Sequence, residues 1–186
     1  AFAPPLTVHY AFDKANVVLT LAHDFMGVDS GPVRQIKQWS SGRHLSAESK
    51  GMNRLYDVES RQSITGTNAD HRLRLRSSQI PAFVTALSGA LEGQAPSGDQ
   101  HGKWIAAIAK DLKANPGKSI VLAGPNQPPA VHALVFAINQ SLGNIGQTIS
   151  FTKPVYDTTN SGVAALKSLV DEINAGTVKK LVILGG

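Results

Sequence analysis

Residues 119–143, SIVLAGPNQPPAVHALVFAINQSLG, decide the fold class of this chain. The first five residues (SIVLA) are a short run rich in β-branched side chains, which is typical of a buried strand. From Pro129 onward the apolar residues recur at helical spacing, and Gly143 supplies a stop. The members of this apolar stripe are Val131, Leu134, Val135, Ile138 and Leu142. The stretch therefore predicts a strand followed directly by a helix.

The same order repeats towards the end of the chain. Residues 147–151 (QTISF) and 181–184 (LVIL) have strand-like patterns, and a helical stripe that ends at Gly176 lies between them. That stripe contains Val163, Leu166, Leu169, Val170 and Ile173. The resulting β-α-β-α-β order predicts right-handed crossovers, with all three strands parallel in one sheet and helices on both faces.

The first half of the chain is less regular but predicts the same class. The expected strands are residues 16–21 (NVVLTL) and 55–59 (LYDVE), and the expected helices are Pro32 to Trp39 and residues 80–91. In HRLRLR (residues 71–76), leucines alternate with arginines, the period-2 pattern of a strand with one wet face. We expect Leu73 and Leu75 to be buried and Arg72, Arg74 and Arg76 to face solvent or neighbouring carboxylates.

The stretch GQAPSGDQHG, residues 93–102, is rich in Gly, Pro and Ser and is the predicted linker. It divides the chain into a first α/β lobe (1–92) and a second α/β lobe (103–186). The predicted fold is α/β with two Rossmann-like lobes, each with a mainly parallel sheet flanked by helices.

Composition narrows the possible functions. The chain has 186 residues, of which 42% are apolar and 17% charged, as expected for a packed globule. The net charge of +5 is modest and spread out, so nucleic-acid binding does not follow from it. There is no cysteine, which excludes disulfides, cysteine-ligated clusters and thiol catalysis within these residues. No apolar run approaches the roughly 20 residues that cross a bilayer.

Both ends of the chain suggest a piece of a larger protein. The start, AFAPPLTVHY, has neither an initiator Met nor a signal-like leader. The end, KKLVILGG, runs from an expected strand into Gly185 and Gly186, where a turn beside a ligand or a helix would normally begin. We therefore expect an internal fragment, truncated at its carboxyl end.

Ligands of open α/β sheets bind beyond the carboxyl ends of strands, so candidate site residues are sought there. Asp24 and Glu59 follow the first and second strands, and Gly185 and Gly186 follow the last. A carboxylate at such a place can accept hydrogen bonds from a ribose or a guanine. It can equally cap a helix or pair with an arginine, and the sequence leaves both readings open.

Other candidate motifs carry less information. Residues 124–129 (GPNQPP) follow a strand but lack both phosphate-loop patterns, and their paired prolines remove amides that a phosphate would use. Arg72, Arg74 and Arg76 can bind an anion or simply protect an edge strand from pairing. The six histidines have no metal-ligand spacing, and no nucleophile–base motif is present. No catalytic and no metal-binding residue is predicted.

Four stretches together resemble the α/β domains of molybdopterin oxidoreductases of the dimethyl sulfoxide reductase type. They are ANVVLTLAHDFMG, MNRLYDVESRQSITGTNADHRLRLRSSQIPAFVTAL, VLAGPNQPPAVHALVFAINQSLGNIG and LVILGG. Within that superfamily the chain is most similar to the molybdopterin-oxidoreductase-like, iron–sulfur-bearing B subunits of bacterial alternative complex III. The most specific parts are LYDVESRQSITGTNADHRLRLR and the helix ending AINQSLGNIG.

The resemblance implies a set of ancestral crevice positions. Catalytic relatives have Asp-Pro-Arg where this chain has Glu59, Ser60 and Arg61. That departure alters the guanosine-side contact of a molybdopterin guanine dinucleotide. The implied cofactor-facing positions are therefore Asp24, Glu59, Ser60, Arg61, Gly185 and Gly186.

The resemblance also implies a function. It indicates a fragment of a quinol-oxidising respiratory electron-transfer complex, acting as a cofactor-free structural domain that is inactive by itself. Iron–sulfur clusters would lie elsewhere in the parent protein, and the partners would be its other domains and subunits of a membrane-bound complex. The expected location is peripheral, on the periplasmic side of the bacterial inner membrane, with no membrane insertion and no nucleic acid.

Two alternatives stay open. One is a segment of a genuine molybdenum oxidoreductase that contributes to binding molybdopterin guanine dinucleotide. The other, by fold analogy alone, is the central domain of a thiamine-diphosphate enzyme, and the ADHRLRLR strand argues against it.

Overall fold

The computed structural model of the chain describes residues 6–29, 31, 33–45, 51–95, 101–155 and 162–184. The strands are β1 (Thr7–Tyr10), β2 (Val17–Leu21), β3 (Arg54–Glu59), β4 (His71–Arg74), β5 (Ser119–Ala123) and β6 (Ile149–Thr152). The helices are α1 (Val33–Ser41), α2 (Ile64–Thr67), α3 (Ile80–Leu91), α4 (Gly102–Ala114), α5 (Pro129–Ser141) and α6 (Gly162–Asn174). Two 3-10 turns, Phe12–Lys14 and Ser77–Gln79, complete the described elements.

A four-stranded parallel sheet forms the centre of the larger compact unit, residues 8–151. The strand order is β4-β3-β2-β5, and each neighbouring pair is parallel. The chain runs from β2 outward through β3 to β4 and then returns to place β5 on the other side of β2. The order of the strands therefore reverses between β2 and β5, and all four carboxyl ends lie at one edge of the sheet.

The two faces of this sheet pack against different elements. One face is covered by α3, α4 and α5, whose apolar stripes join the side chains of Val17, Leu19, Leu21, Tyr56, Val58 and Val121. The other face places Val18, Leu55, Ile120 and Leu122 against an aromatic group of Phe12, Phe25 and Trp39. Because successive strand residues point to opposite faces, the run NVVLTL supplies both cores, and the predicted parallel α/β sheet is confirmed.

Most predicted elements of the first half are confirmed. The strands predicted at 16–21 and 55–59 are β2 and β3, and the helix predicted at 80–91 is α3. HRLRLR contains β4, whose Leu73 is half-buried although it was expected to be buried. Leu75, the first residue after β4, is buried as expected. Pro32 lies outside the described residues, while the helix that was expected to begin there extends from Val33 to Ser41.

The second half differs from the expectation of three parallel strands in one sheet. β5 belongs to the four-stranded sheet, whereas β6 pairs with β1 in a separate two-stranded sheet. Residues 181–184, within the described part of the chain, have no strand conformation. A strand needs a neighbour to satisfy its backbone N–H and C=O groups, and an apolar pattern does not specify which neighbour that is.

Residues 93–102 connect parts of one sheet, because β2 and β3 precede them and β5 follows them. Residues 96–100 lie outside the described residues. The division of the chain into lobes at 1–92 and 103–186 stays a prediction.

The second compact unit contains residues 6–7 and the described part of residues 152–184. Its helix α6 forms at the predicted place, but its apolar stripe is largely exposed, with Val163 85% and Leu166 60% accessible. Among the helices that the structure describes, none combines the length and the apolar character needed to cross a membrane.

Candidate functional site

The loops at the carboxyl ends of β2 and β5 approach each other closely. Ala22, directly after β2, has a positive φ of 52°, which a residue with a side chain rarely adopts. A Cβ added to Gly124, directly after β5, would lie 1.8 Å from the backbone oxygen of Ala22. Glycine at 124 therefore permits the two loops to touch at the point where the strand order reverses, as at ligand sites of open α/β sheets.

Asp24 lies in the loop after β2 and connects that loop to α2. It is 8% exposed, and it accepts hydrogen bonds from the backbone N–H of Val28 (3.1 Å), the N–H of Thr65 (2.9 Å) and the Thr65 hydroxyl (2.8 Å). Burial would raise the pKa of Asp24, but the hydrogen bonds from Thr65 and Val28 outweigh it and hold the pKa below the usual value. Asp24 is therefore an ionised structural carboxylate.

Glu59, the last residue of β3, has a similar role on the other side of α2. It is 4% exposed, both of its carboxyl oxygens accept the N–H of Ser63 (3.1 and 3.2 Å), and Arg72 Nε lies 2.6 Å from Oε1. Ser63 in turn accepts the N–H of Gly66 (3.0 Å) as the N-cap of α2. The structure thus brings Asp24 and Glu59 together around α2, where they hold protein groups.

The other predicted site residues are not part of this arrangement. Ser60 and Arg61 are exposed, and the Ser60 hydroxyl lies 3.4 Å from that of Ser77. Gly185 and Gly186 lie outside the described residues. Of the two readings that the sequence left open for Glu59, the pairing with an arginine and with the start of a helix is present in the structure.

A third carboxylate, Asp57, was not among the residues predicted from the sequence. It is 1% exposed, its Oδ1 accepts a hydrogen bond from the Thr20 hydroxyl, and its Oδ2 is buried with no hydrogen-bond partner in the described part of the chain. Burial, together with the nearby charge of Glu59, raises the pKa of Asp57 to about 7. The signal in the sequence was an aspartate inside an apolar strand, LYDVE, two residues before Glu59.

A cavity of about 340 Å³ opens beside the carboxyl ends of β3 and β4. It is lined by Ser60, Arg74, Leu75, Arg76, Gln79 and His101. Arg74 and Arg76 are exposed, so their guanidinium groups can bind an anion, for which arginine provides several donors in a planar fork. The alternation in HRLRLR predicted the exposed arginines, whereas only the fold adds His101.

A second cavity of about 370 Å³ lies at the amino ends of β2 and β3. Its polar lining includes Asp13, Asn16, Asn53, Arg54 and Asn115. Although it is slightly larger, it lies at the edge of the sheet where open α/β folds do not bind their ligands. The cavity at the carboxyl ends is therefore the better candidate.

His23 lies in the loop after β2, directly after Ala22, at the point where the strand order reverses. Burial lowers its pKa, and this effect outweighs the opposing charges of Asp29 and Asp24, so the imidazole is neutral at pH 7. Across the described ranges no group of three histidine, aspartate or glutamate side chains is placed to hold a metal ion.

No protein-family model matches the chain, and no curated protein matches it.

Proposed function

We propose that this chain is a domain of a molybdopterin-oxidoreductase-like protein of a respiratory, quinol-oxidising complex, and that it serves there as a cofactor-free structural domain. The proposal rests on the sequence resemblance described above. One observation of the structure supports the structural role: Asp24 and Glu59, the two carboxylates of the expected crevice, receive their hydrogen bonds from Thr65, Val28 and Ser63. Carboxylates used in this way hold α2 and the loop after β2 in place.

The proposal has several further parts. The predicted division into two Rossmann-like lobes, 1–92 and 103–186, is one of them. Iron–sulfur clusters would be carried by other domains of the parent protein, since this chain has no cysteine. The partners would be those domains and the subunits of a membrane-bound complex on the periplasmic side of the bacterial inner membrane.

The direct test uses the purified chain. Metal analysis by mass spectrometry should find no stoichiometric molybdenum or iron, and calorimetric titration with GMP or GDP should give a Kd weaker than about 1 mM. Stoichiometric molybdenum, or micromolar nucleotide binding that Glu59→Ala abolishes, would overturn the structural role.

The second candidate function is cofactor binding in a genuine molybdenum oxidoreductase. The cavity lined by Arg74 and Arg76 favours it, because a molybdopterin guanine dinucleotide carries phosphates that such guanidinium groups can bind. This alternative expects nucleotide binding that Arg74→Gln with Arg76→Gln abolishes. Arg34→Gln is the matched control, since Arg34 is an exposed arginine of α1 that does not line the cavity.

A further inference from the structure

β3 carries two buried carboxyl groups on one face. Asp57 and Glu59 are two residues apart, so both point to the same side of the sheet, and they are 1% and 4% exposed. A Cβ added to Gly66 of α2 would lie 2.0 Å from Glu59 Oε1 and 2.8 Å from Asp57 Oδ2. Glu59 Oε1 and Asp57 Oδ2 therefore lie close to the same point beside Gly66, and the two carboxyl groups are adjacent inside the protein.

Among the described residues, the cation in contact with this pair is Arg72. Arg72, opposite Asp57 in β4, contacts Glu59 through its Nε at 2.6 Å. Thr20, opposite Asp57 in β2, donates its hydroxyl to Asp57 Oδ1. Asp57 Oδ2 has no partner in the part of the chain that the structure describes. One guanidinium does not balance two buried carboxylates, and an unpaired buried charge is costly.

α2 faces the pair without adding a compensating charge. Gly66 has no side chain, and the hydroxyl and N–H of Thr65 are donated to Asp24, whose carboxylate is ionised. No element packed against Asp57 therefore offers its Oδ2 a donor among the described residues. A proton on one of the two carboxyl groups would remove the excess charge and supply the missing hydrogen bond at once.

We propose that Asp57 and Glu59 form a buried proton-binding site in which they share one proton, and that this proton keeps α2 packed against the carboxyl end of β3. The protonated carboxyl of Asp57 donates to Glu59, and Glu59 continues to accept from Ser63 and Arg72. Burial raises the pKa of Asp57 to about 7 and the charge of Glu59 adds to this, against the lowering effects of Thr20 and Arg72. The site therefore releases its proton near neutral pH.

Release of the proton has a structural consequence. Two adjacent buried carboxylates then repel each other directly beneath Gly66, and Glu59 is also the acceptor for the Ser63 N–H at the start of α2. α2 is therefore the element that moves or loosens when the pH rises. Because α2 also holds Asp24 and hence the loop after β2, the proton controls the shape of the crevice at the carboxyl ends.

The direction of the pH effect follows from proton counting. Between about pH 4 and pH 7 the folded chain holds the proton on Asp57 and the unfolded chain does not, so raising the pH favours unfolding. His23 acts in the opposite direction, because its lowered pKa makes the unfolded state bind more protons just below pH 6.5. The pH dependence of the unfolding free energy of the unmodified chain therefore combines two opposing contributions. Variants of Asp57 separate them.

The first test is a carboxyl-carbon NMR titration of the whole chain. Asp57 should titrate with a midpoint near 7, and the backbone amide of Ser63 should shift with the same midpoint. In Glu59→Gln the midpoint of Asp57 should fall by at least about one unit, because the like charge is removed and Arg72 is freed. A midpoint of Asp57 below about 5, a Ser63 amide that does not follow it, or an unchanged midpoint in Glu59→Gln would each overturn the proposal.

The second test compares thermal unfolding of Asp57→Asn at pH 5 and pH 8. The amide keeps the shape and the donor of the protonated acid, so the variant should melt several degrees above the unmodified chain at pH 8 and close to it at pH 5. Asp70→Asn is the matched control, because Asp70 is paired with Arg43 at 2.8 Å and should only lose stability at both pH values. If Asp57→Asn folds but its melting temperature does not exceed that of the unmodified chain at pH 8, the proposal is contradicted. If the variant does not fold, the NMR titration decides.

Discussion

The two faces of the four-stranded sheet are built on different principles. On the face covered by α3, α4 and α5, the strand side chains near the carboxyl ends are apolar, with Leu21 and Val58 completely buried. On the other face the apolar packing of Val18 and Leu55 gives way, two residues along, to Thr20 and Asp57. At their carboxyl ends, β2 and β3 thus have apolar side chains on one face and a buried polar row on the other.

The difference between the faces shows where specificity lies. An apolar face tolerates many packings as long as volume is conserved, whereas a buried polar row requires each group to meet a partner. The row Thr20, Asp57 and Arg72 is in register across three adjacent strands, and Glu59 joins it to α2. We expect mutations on the apolar face to cost stability at every pH, and mutations in the polar row to have effects that depend on pH.

The largest effect should come from placing a charge in the apolar face. Leu75→Asp puts a carboxylate at a position that is 3% exposed, with an expected loss of about 3–5 kcal/mol in the free energy of unfolding. Arg74→Asp, at the exposed neighbour, should change it by less than about 1 kcal/mol. Urea unfolding of both variants measures this, and similar midpoints would contradict the assignment of faces.

A smaller and pH-dependent effect is expected from Arg72→Gln in the polar row. The change removes the partner of Glu59, so we expect a loss of about 1.5–3 kcal/mol at pH 8. At pH 5 the loss should be smaller, because Asp57 is then protonated and the negative charge beneath α2 is halved. Denaturant unfolding at the two pH values tests this. Equal losses at pH 5 and pH 8 would mean that Asp57 does not titrate in the folded chain.

Two glycine substitutions extend the comparison to α2 and α3, which lie on opposite faces of the sheet, because a new Cβ would meet different neighbours in the two helices. In Gly66→Ala it would lie 2.0 Å from Glu59 Oε1, which Ser63 and Arg72 hold in place, so α2 must shift and the chain should lose about 1–3 kcal/mol. In Gly89→Ala of α3 the nearest atom is the flexible end of Gln94, and the helix should gain up to about 1 kcal/mol.

The measurement is the melting temperature of each glycine variant against the unmodified chain. The two variants should shift it in opposite directions. A destabilised Gly89→Ala together with a neutral Gly66→Ala would reverse the expectation and show that α2 is loosely held.

The smallest expected effect concerns the cap of α2. Ser63→Ala removes the acceptor for the Gly66 N–H at 3.0 Å and should cost about 1 kcal/mol, the usual contribution of an N-cap. Ser77→Ala is the control, since Ser77 is an exposed serine of the same region whose hydroxyl lies 3.4 Å from that of Ser60. Hydrogen exchange of the Gly66 amide should accelerate in the first variant alone, and an unchanged rate would show that Ser63 is not the effective cap.

How far the sequence predicted the candidate site depends on the residue. Asp24 and Glu59 were placed correctly at strand ends, because the carboxyl ends of parallel strands share one edge. Their partners were not predictable, since Thr65 and Arg72 lie 41 and 13 residues away along the chain and only the fold brings them close. Asp57 carried a weak signal as a polar residue in an apolar strand, but its burial beside Glu59 depends on α2.

The sequence by itself determined the local elements of this protein: apolar periodicity and stop residues predicted β2, β3, β5, α3 and α5, and the alternation in HRLRLR predicted the exposure of Arg74 and Arg76 and the burial of Leu75. Such patterns are local, because each reflects which face of one segment avoids water. Only the tertiary structure decided that β5 pairs with β2, that β6 leaves this sheet for β1, and that residues 181–184 form no strand. Strand partners are chosen by hydrogen bonding and packing between segments far apart in sequence, and no single segment encodes that choice.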